Sequence, residues 1–266
     1  MKMKKITATV MAFIALSATG AFSACGDTQT IEIAGSTSVQ PLMGALADAY
    51  MAKNSSVQIK VEGGGSSIGV SNAKEGKGDF GMASKAVSEE GITCVKLCDD
   101  GIVVVVNKSN PLTDVSGVQL FDLYVHGASI ASATMPITRE AGSGTRDAFE
   151  GLVKKDREKL ENVADRAPTQ EFSSTGTAIT YIQQNENALG YISLGAYDPN
   201  KVKKVAFEGV EGTAENVKNG SYRLARPFNI LYSTDKGLSK VAKDFLDFIL
   251  SQEGQEIVAE EGYITL

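Results

Sequence analysis

The chain has 266 residues, 42% hydrophobic, 7% aromatic and 22% charged, the composition of an ordinary folded protein, which excludes a disordered, collagen-like or polytopic membrane chain. One histidine, three cysteines and no tryptophan leave no material for a His-rich zinc site or a disulfide scaffold, and no His-based relay unless His126 is the base. The formal net charge is −6.

Lys2, Lys4 and Lys5 precede a mostly apolar run from Ile6 to Leu16 and small residues up to Ala24, with no acid among them. This is the pattern of a secretory signal over residues 1–24. The run is shorter than the ~20 residues of a membrane-spanning helix, so export is expected and not a permanent anchor. Phe22-Ser23-Ala24-Cys25 resembles a bacterial lipoprotein box, which makes Cys25 the candidate lipidated N-terminus. Such boxes more often carry Leu where Phe22 stands, and cleavage nearby by an ordinary signal peptidase is the alternative. Removal of three lysines and no acid takes the charge from −6 to −9. A nucleic-acid partner, which needs clustered Lys and Arg, is therefore not expected. An anionic ligand would have to be held by local dipoles and hydrogen bonds.

Apolar β-branched runs then alternate with segments of helical period, with no internal repeat: an α/β pattern. Ile31 to Ala34 predicts a strand, Gly35-Ser36-Thr37-Ser38 a turn, and Pro41, Leu42, Met43, Leu46 and Tyr50 one face of a helix. Val57 to Val61 predicts a second strand, Gly63-Gly64-Gly65-Ser66-Ser67 its turn, and Ile68 and Val70 a short helix ending near Gly76. Asp79 to Ser84 ends a third strand, and Ile102 to Val106 is apolar on both faces, as a central strand should be. Pro136 to Arg139 is extended, Glu140 to Thr145 is a glycine-rich turn, and Phe149, Leu152, Val153 and Leu160 predict a long helix with Lys154, Lys155, Asp156 and Glu158 on its wet face. Strands over Ala188–Leu194 and Pro227–Tyr232, a helix carrying Leu238, Val241, Phe245, Leu246 and Ile249, and a second short helix close the chain. His126 has no partner at ligand spacing and is expected to be a loop or surface residue. Cys94 and Cys98 could pair only if a turn separates them, since four extended residues span ~13 Å.

The chemistry lies in the Ser, Thr and Gly turns that follow strands and open helices. A helix start presents unpaired N–H groups and the positive end of the macrodipole, and glycine lets an oxyanion approach the backbone. Any one turn could equally be an N-cap. Arg139 adds a planar fork suited to an oxyanion, its alternative being an ion pair with Glu140 or another nearby acid. Catalytic readings lack support: Gly142-Ser143-Gly144 is no nucleophile elbow, the Gly63–Lys74 segment has no Walker spacing, and the acids are scattered.

The turns Ala34–Pro41, Glu62–Ser67, Asp79–Ser84 and Arg139–Phe149 together resemble those of the phosphate-binding proteins that feed bacterial phosphate ABC importers, over nearly the whole mature chain. The resemblance implies a two-lobed periplasmic-binding-protein-like type II fold, with the ligand cleft between lobes joined by two crossover strands, near Val103–Asn107 and Pro227–Leu231. Lobe one would be residues 27–104 plus 229–266, and lobe two residues 105–228. It also implies donors to inorganic phosphate at Thr37, Ser38, Ser66, Arg139, Ser143, Gly144 and Thr145. Ser84 stands where much of the family carries an aspartate that accepts a hydrogen bond from protonated phosphate. A hydroxyl can donate or accept. The expected protein is a monomeric, membrane-tethered lipoprotein facing outside, without cofactor or metal, that hands phosphate to the membrane subunits of an importer. Binding of another tetrahedral oxyanion such as sulfate or molybdate, or phosphate sensing, are the alternatives.

Overall fold

The structure, a computed structural model, describes residues 28–155, 158–165 and 169–266. The signal segment and Cys25 lie outside the described residues. In chain order come β1 (Gln29–Gly35), α1 (Gln40–Lys53), β2 (Val57–Gly63), α2 (Ser66–Glu75), β3 (Phe80–Ala83) and a long β4 (Ile92–Val106). Next are β5 (Asp114–Val115), α3 (Gly117–His126), β6 (Met135–Arg139), α4 (Gly144–Leu152), β7 (Lys154–Lys155), β8 (Glu158–Lys159) and β9 (Gln170–Phe172). The chain ends with α5 (Thr175–Gln184), β10 (Ala188–Ser193), β11 (Lys203–Phe207), α6 (Ala214–Lys218), β12 (Ala225–Ser233), α7 (Lys240–Leu250) and α8 (Gln252–Glu260).

One path of strands, β2-β1-β3-β12-β4-β10-β6-β9, runs through both lobes, with β11 and β5 attached beside β4. Strand β4 makes the join. From Ile92 to Gly101 it pairs antiparallel with β12, and from Ile102 to Val106 with β10 and, over Val104–Val106, with β11. Each stretch lies in its own apolar core. Ile31, Ile33, Leu42, Met43, Leu46, Phe80, Phe245 and Ile249 fill the lobe-one core. Ile102 to Val106 pack in the lobe-two core with Leu120, Phe121, Tyr124, Phe149, Ile182 and Tyr191. Burial on both faces explains why Ile102–Val106 reads as an unbroken aliphatic run.

Two packing features aim the polar turns. Backbone lies against backbone where α2 meets β3: a Cβ on Gly81 would stand 2.1 Å from the Gly69 carbonyl oxygen, and one on Gly69 would stand 2.4 Å from that of Met82. This close approach brings the first turn of α2 to the end of β3. In lobe two, the Phe149 ring stacks on Tyr191 at 3.8 Å between centroids, and the Tyr124 hydroxyl donates to the Ile137 carbonyl at 2.7 Å. Those contacts seat α4 on β10 and β6 on α3, and so fix the two elements, β6 and α4, that flank the Arg139–Thr145 turn.

The long helix expected through Leu160 is a correction. Helix α4 stops at Leu152, Val153 is extended (φ −80°, ψ 123°), and Lys154–Lys155 pairs with Glu158–Lys159 as a hairpin. The Leu160 N–H bonds the Val153 carbonyl at 3.2 Å, and both side chains are buried. Val153 and Leu160 are thus brought together by a hairpin and not by a continuing helix. Cys94 and Cys98 are free thiols, one exposed and one buried, on the uninterrupted strand β4, so no turn brings them together. Burial and the nearby Asp100 and Asp99 carboxylates push the Cys98 thiol far above its ordinary pKa, leaving it an inert apolar filler. His126 ends α3 with its ring largely exposed, 3.8 Å from Asp122. No described helix is long and apolar enough to cross a membrane.

Candidate oxyanion site

The helices opened by the first two turns are not capped by those turns' hydroxyls. Val39 occupies the N-cap of α1 and Gly65 that of α2, and neither receives a side-chain capping bond. Ser36, Thr37, Ser38 and Ser66 therefore remain for other partners. Gly65 adopts φ +93°, a conformation that side chains disfavour. Ser143 differs: its Oγ accepts from the Arg146 N–H at 3.4 Å and caps α4.

The turns of both lobes converge. Arg139 Nη2 donates to Thr37 Oγ1 at 2.8 Å, and Ser38 Oγ lies 2.8 Å from Thr145 Oγ1. The Ser67 N–H donates to the Gly142 carbonyl at 3.1 Å. In lobe one, Ser36 Oγ donates to Ser84 Oγ at 2.9 Å, and the Ser84 N–H donates to Ser66 Oγ at 3.1 Å. Gly144, the first residue of α4, faces these two serines: a Cβ there would stand 2.4 Å from Ser66 Oγ and 2.7 Å from Ser84 Oγ. All eight residues picked from the sequence, Thr37, Ser38, Ser66, Ser84, Arg139, Ser143, Gly144 and Thr145, thus gather at one interlobe locus. Outside the site, Lys85 of lobe one meets Asp147 of lobe two at 2.6 Å.

Arg139 makes the ion pair with Glu140 that the sequence offered as the alternative, and turns its other N–H groups to hydroxyls of the cleft. Nε and Nη2 grip the two Glu140 carboxylate oxygens at 2.8 Å each, while Nη1 donates to Thr175 Oγ1 at 2.8 Å. Of five guanidinium N–H groups, this leaves one on Nη1 without a protein partner among the described residues.

Sequence reasoning missed three participants. Thr175 opens α5, and its hydroxyl lies 3.2 Å from Ser38 Oγ. Ser173-Ser174-Thr175-Gly176 before Ala178, Ile179 and Ile182 carries the same turn-then-helix signal as the others. Arg226 and Asp100 form an ion pair at 3.0 Å, with their side chains 2% and 1% exposed. Burial pushes the Asp100 carboxyl up to about 6, the Arg226 charge opposing the shift. Burial likewise pulls the Arg226 guanidinium down.

A carboxyl raised on folding binds its proton more tightly in the folded chain. Its favourable contribution is complete below the ordinary value of 3.8 and is lost as pH rises through about 6. Two pKa units correspond to roughly 3 kcal/mol. The unfolding free energy of the wild type, measured relative to Asp100→Asn, should therefore decline between pH 3.8 and about 6 and be flat above that. A flat difference throughout would contradict the shift.

The profile of the PBP superfamily domain matches residues 21–253. A phosphate ABC transporter substrate-binding protein from Clostridium perfringens, solved with bound phosphate, superposes with a TM-score of 0.82 at 39% identity, covering 90% of this chain and all of that one. The phosphate-binding protein PstS of Bacillus subtilis is 30% identical over 251 residues, 88% of this chain and 80% of the relative. The chain belongs to the PstS family of the PBP superfamily. PstS 2 of Streptococcus pneumoniae is 43% identical over 139 residues, so the match spans 50% of this chain and about half (46%) of that relative. Membership in the PstS family accounts for the two-lobed α/β architecture and for a cleft lined by turns from both lobes.

Proposed function

We propose that this protein captures inorganic phosphate in the interlobe cleft and delivers it to an ABC importer, as a binding protein and not an enzyme. One observation carries the reading: hydroxyls and helix-start N–H groups of both lobes converge with Arg139 on a buried locus, with Arg139 Nη2 reaching across to Thr37 at 2.8 Å. Thr37, Ser38, Ser66, Ser84, Arg139, Ser143, Gly144 and Thr145 are the proposed ligand residues, joined by Thr175. The lobes proposed from the sequence are 27–104 plus 229–266 and 105–228; the hinge between them would lie a few residues earlier, near Gly101–Ile102 of β4 and Ala225 of β12, where the two strands pass between the two cores. Because Ser66, Ser84 and Thr145 are buried, a ligand can reach them only when the lobes part.

Isothermal titration of the mature protein with phosphate should give saturable heat with one site per chain. Since Arg139 is neutralised by Glu140 and the donors are buried, affinity should fall only weakly with added salt. A steep salt dependence would indicate an exposed basic site, and absence of phosphate binding would refute the reading. Ser84 in place of the family's aspartate favours one second reading, weaker rejection of sulfate. Sulfate displacing phosphate at comparable concentration would establish it.

For the segment before the fold, we propose export and lipidation at Cys25, which would hold the monomer on the outer face of the membrane beside its transporter. Two acyl chains are needed for stable anchoring. Nearly all the wild-type protein should then fractionate with membranes, and Cys25→Ala should release it or leave the precursor uncut. A soluble wild-type protein beginning at another residue would contradict this.

A further inference from the structure

Each of the two guanidiniums at the site has its own carboxylate. Arg139 is held by Glu140, and Arg226 by Asp100. Their positive charges are therefore largely cancelled locally, and what they present to the cleft is hydrogen-bond polarity. Arg139 does this directly at Thr37 and Thr175. Arg226 does it from behind, at a place where it can act on both lobes.

Arg226 and Asp100 face each other in the β12–β4 register, one residue from the Ala225–Gly101 pair at which β4 leaves its lobe-one partner. Arg226 Nη2 donates to Asp100 Oδ2 at 3.0 Å. Its Nη1 donates to two acceptors: the Ser84 carbonyl oxygen of lobe one at 2.9 Å and Thr145 Oγ1 of lobe two at 2.8 Å. The guanidinium lies 5.0 Å from the Phe228 ring centroid, which fixes its plane. Its Nε is buried with no hydrogen-bond partner among the described residues.

A threonine hydroxyl has one proton and two lone pairs. With Arg226 on one lone pair, Thr145 keeps its proton for an acceptor in the cleft, either Ser38 Oγ at 2.8 Å or a ligand oxygen. The same nitrogen ties the start of α4 to the end of β3, so its bonds to Ser84 and Thr145 exist together only when the lobes are closed. A lysine, with a single ammonium on a flexible stem, would not reproduce a planar group fixed by Asp100 and shared between two acceptors.

We infer that Arg226, fixed by Asp100 at the crossover strands, is a positioning residue of the oxyanion site: it makes Thr145 a donor toward the ligand and holds the closed arrangement of the lobes. This rests on the proposed phosphate-binding function and goes beyond it, because Arg226 acts through Thr145 and Ser84 and not through the ligand.

The test compares phosphate titrations of the mature wild type, Arg226→Lys, and the double variant Asp100→Asn/Arg226→Met, which removes both charges and so leaves none buried alone. Loss of the planar, Asp100-fixed donor at this place should raise Kd about 10- to 100-fold in both variants. Each should still unfold in one cooperative transition without phosphate. Thr145→Val supplies a readout that a merely structural ion pair would not move. It should weaken the wild type strongly yet add less than about threefold in the double-variant background, because the two changes remove one pathway. If the double variant fails to fold, Arg226→Lys decides by the same criterion. Phosphate affinity within about twofold of wild type in the folded variants, or additive effects with Thr145→Val, overturns the inference while leaving the functional reading intact. A wild type that binds no phosphate overturns both.

Discussion

Arg139→Ala is expected to lose about 2–5 kcal/mol of phosphate binding, roughly 30- to 5,000-fold in Kd, the cost of deleting one member of a buried hydrogen-bonded charge pair. The side chain is almost fully buried and serves Glu140, Thr175 and Thr37 at once. Its removal takes a charged donor from the cleft, releases two hydroxyls from their fixed orientation and leaves the Glu140 carboxylate facing an anion. Part of the loss would come from that uncompensated carboxylate. Arg139→Ala/Glu140→Ala separates the two effects: it should recover some affinity but remain well below wild type. Titration calorimetry reads both variants, and unchanged affinity in Arg139→Ala would reduce the residue to a structural partner of Glu140.

Gly144→Ala should produce an effect of opposite sign on fold and on binding. Gly144 begins α4 without a positive φ, so alanine suits the isolated lobe and improves helix propensity by up to about 1 kcal/mol. Across the cleft the same methyl group would stand 2.4 Å from Ser66 Oγ and 3.1 Å from Ser66 Cβ. Ser66 cannot easily turn away, because its Oγ accepts the Ser84 N–H. The clash arises only when the lobes close, and an overpacking cost of about 3 kcal/mol corresponds to on the order of 100-fold weaker binding. Thermal unfolding without phosphate should be unchanged or higher, while the stabilisation conferred by phosphate should largely vanish. Wild-type affinity in this variant would show that closure does not bring Gly144 against Ser66.

How far the sequence reveals this site follows from how local each signal is. Thr37, Ser38, Ser66 and the Arg139–Thr145 turn are visible because each lies within a few residues of a β-branched strand and an amphipathic helix, so the turn is bracketed on both sides. Thr175 has the same turn but follows β9, only three residues long and at the end of the strand path, which gives too little alternation to announce a strand. Asp100 and Arg226 are separated by 126 positions in sequence. Only the antiparallel register of β4 and β12 makes them neighbours, and nothing near either residue signals the other. The failed helix beyond Leu152 has a different cause. Val153 and Leu160 are compatible with helical spacing, yet the Leu160–Val153 backbone bond shows that a hairpin buries the same pair. Apolar spacing across a charged stretch does not distinguish the two.

The same distinction explains why the capping alternative could not be resolved from sequence. Ser and Thr before a helix have the same appearance whether they bond the helix or face outward. With Gly65 at the N-cap of α2 and Val39 at that of α1, the lobe-one hydroxyls make no helix-capping bond, whereas Ser143 caps α4. In α1 and α2 the turn hydroxyls are turned to the cleft and not to the helix start.

A crystal structure of the mature protein grown with phosphate tests the central claim most directly. The phosphate should lie between the lobes within hydrogen-bond distance of Thr37, Ser38, Ser66, Arg139 and the Ser143–Thr145 turn, with Arg226 still bridging Ser84 and Thr145 behind it. Phosphate absent from that locus, or bound on the surface of one lobe with the cleft residues contacting only one another, would contradict it.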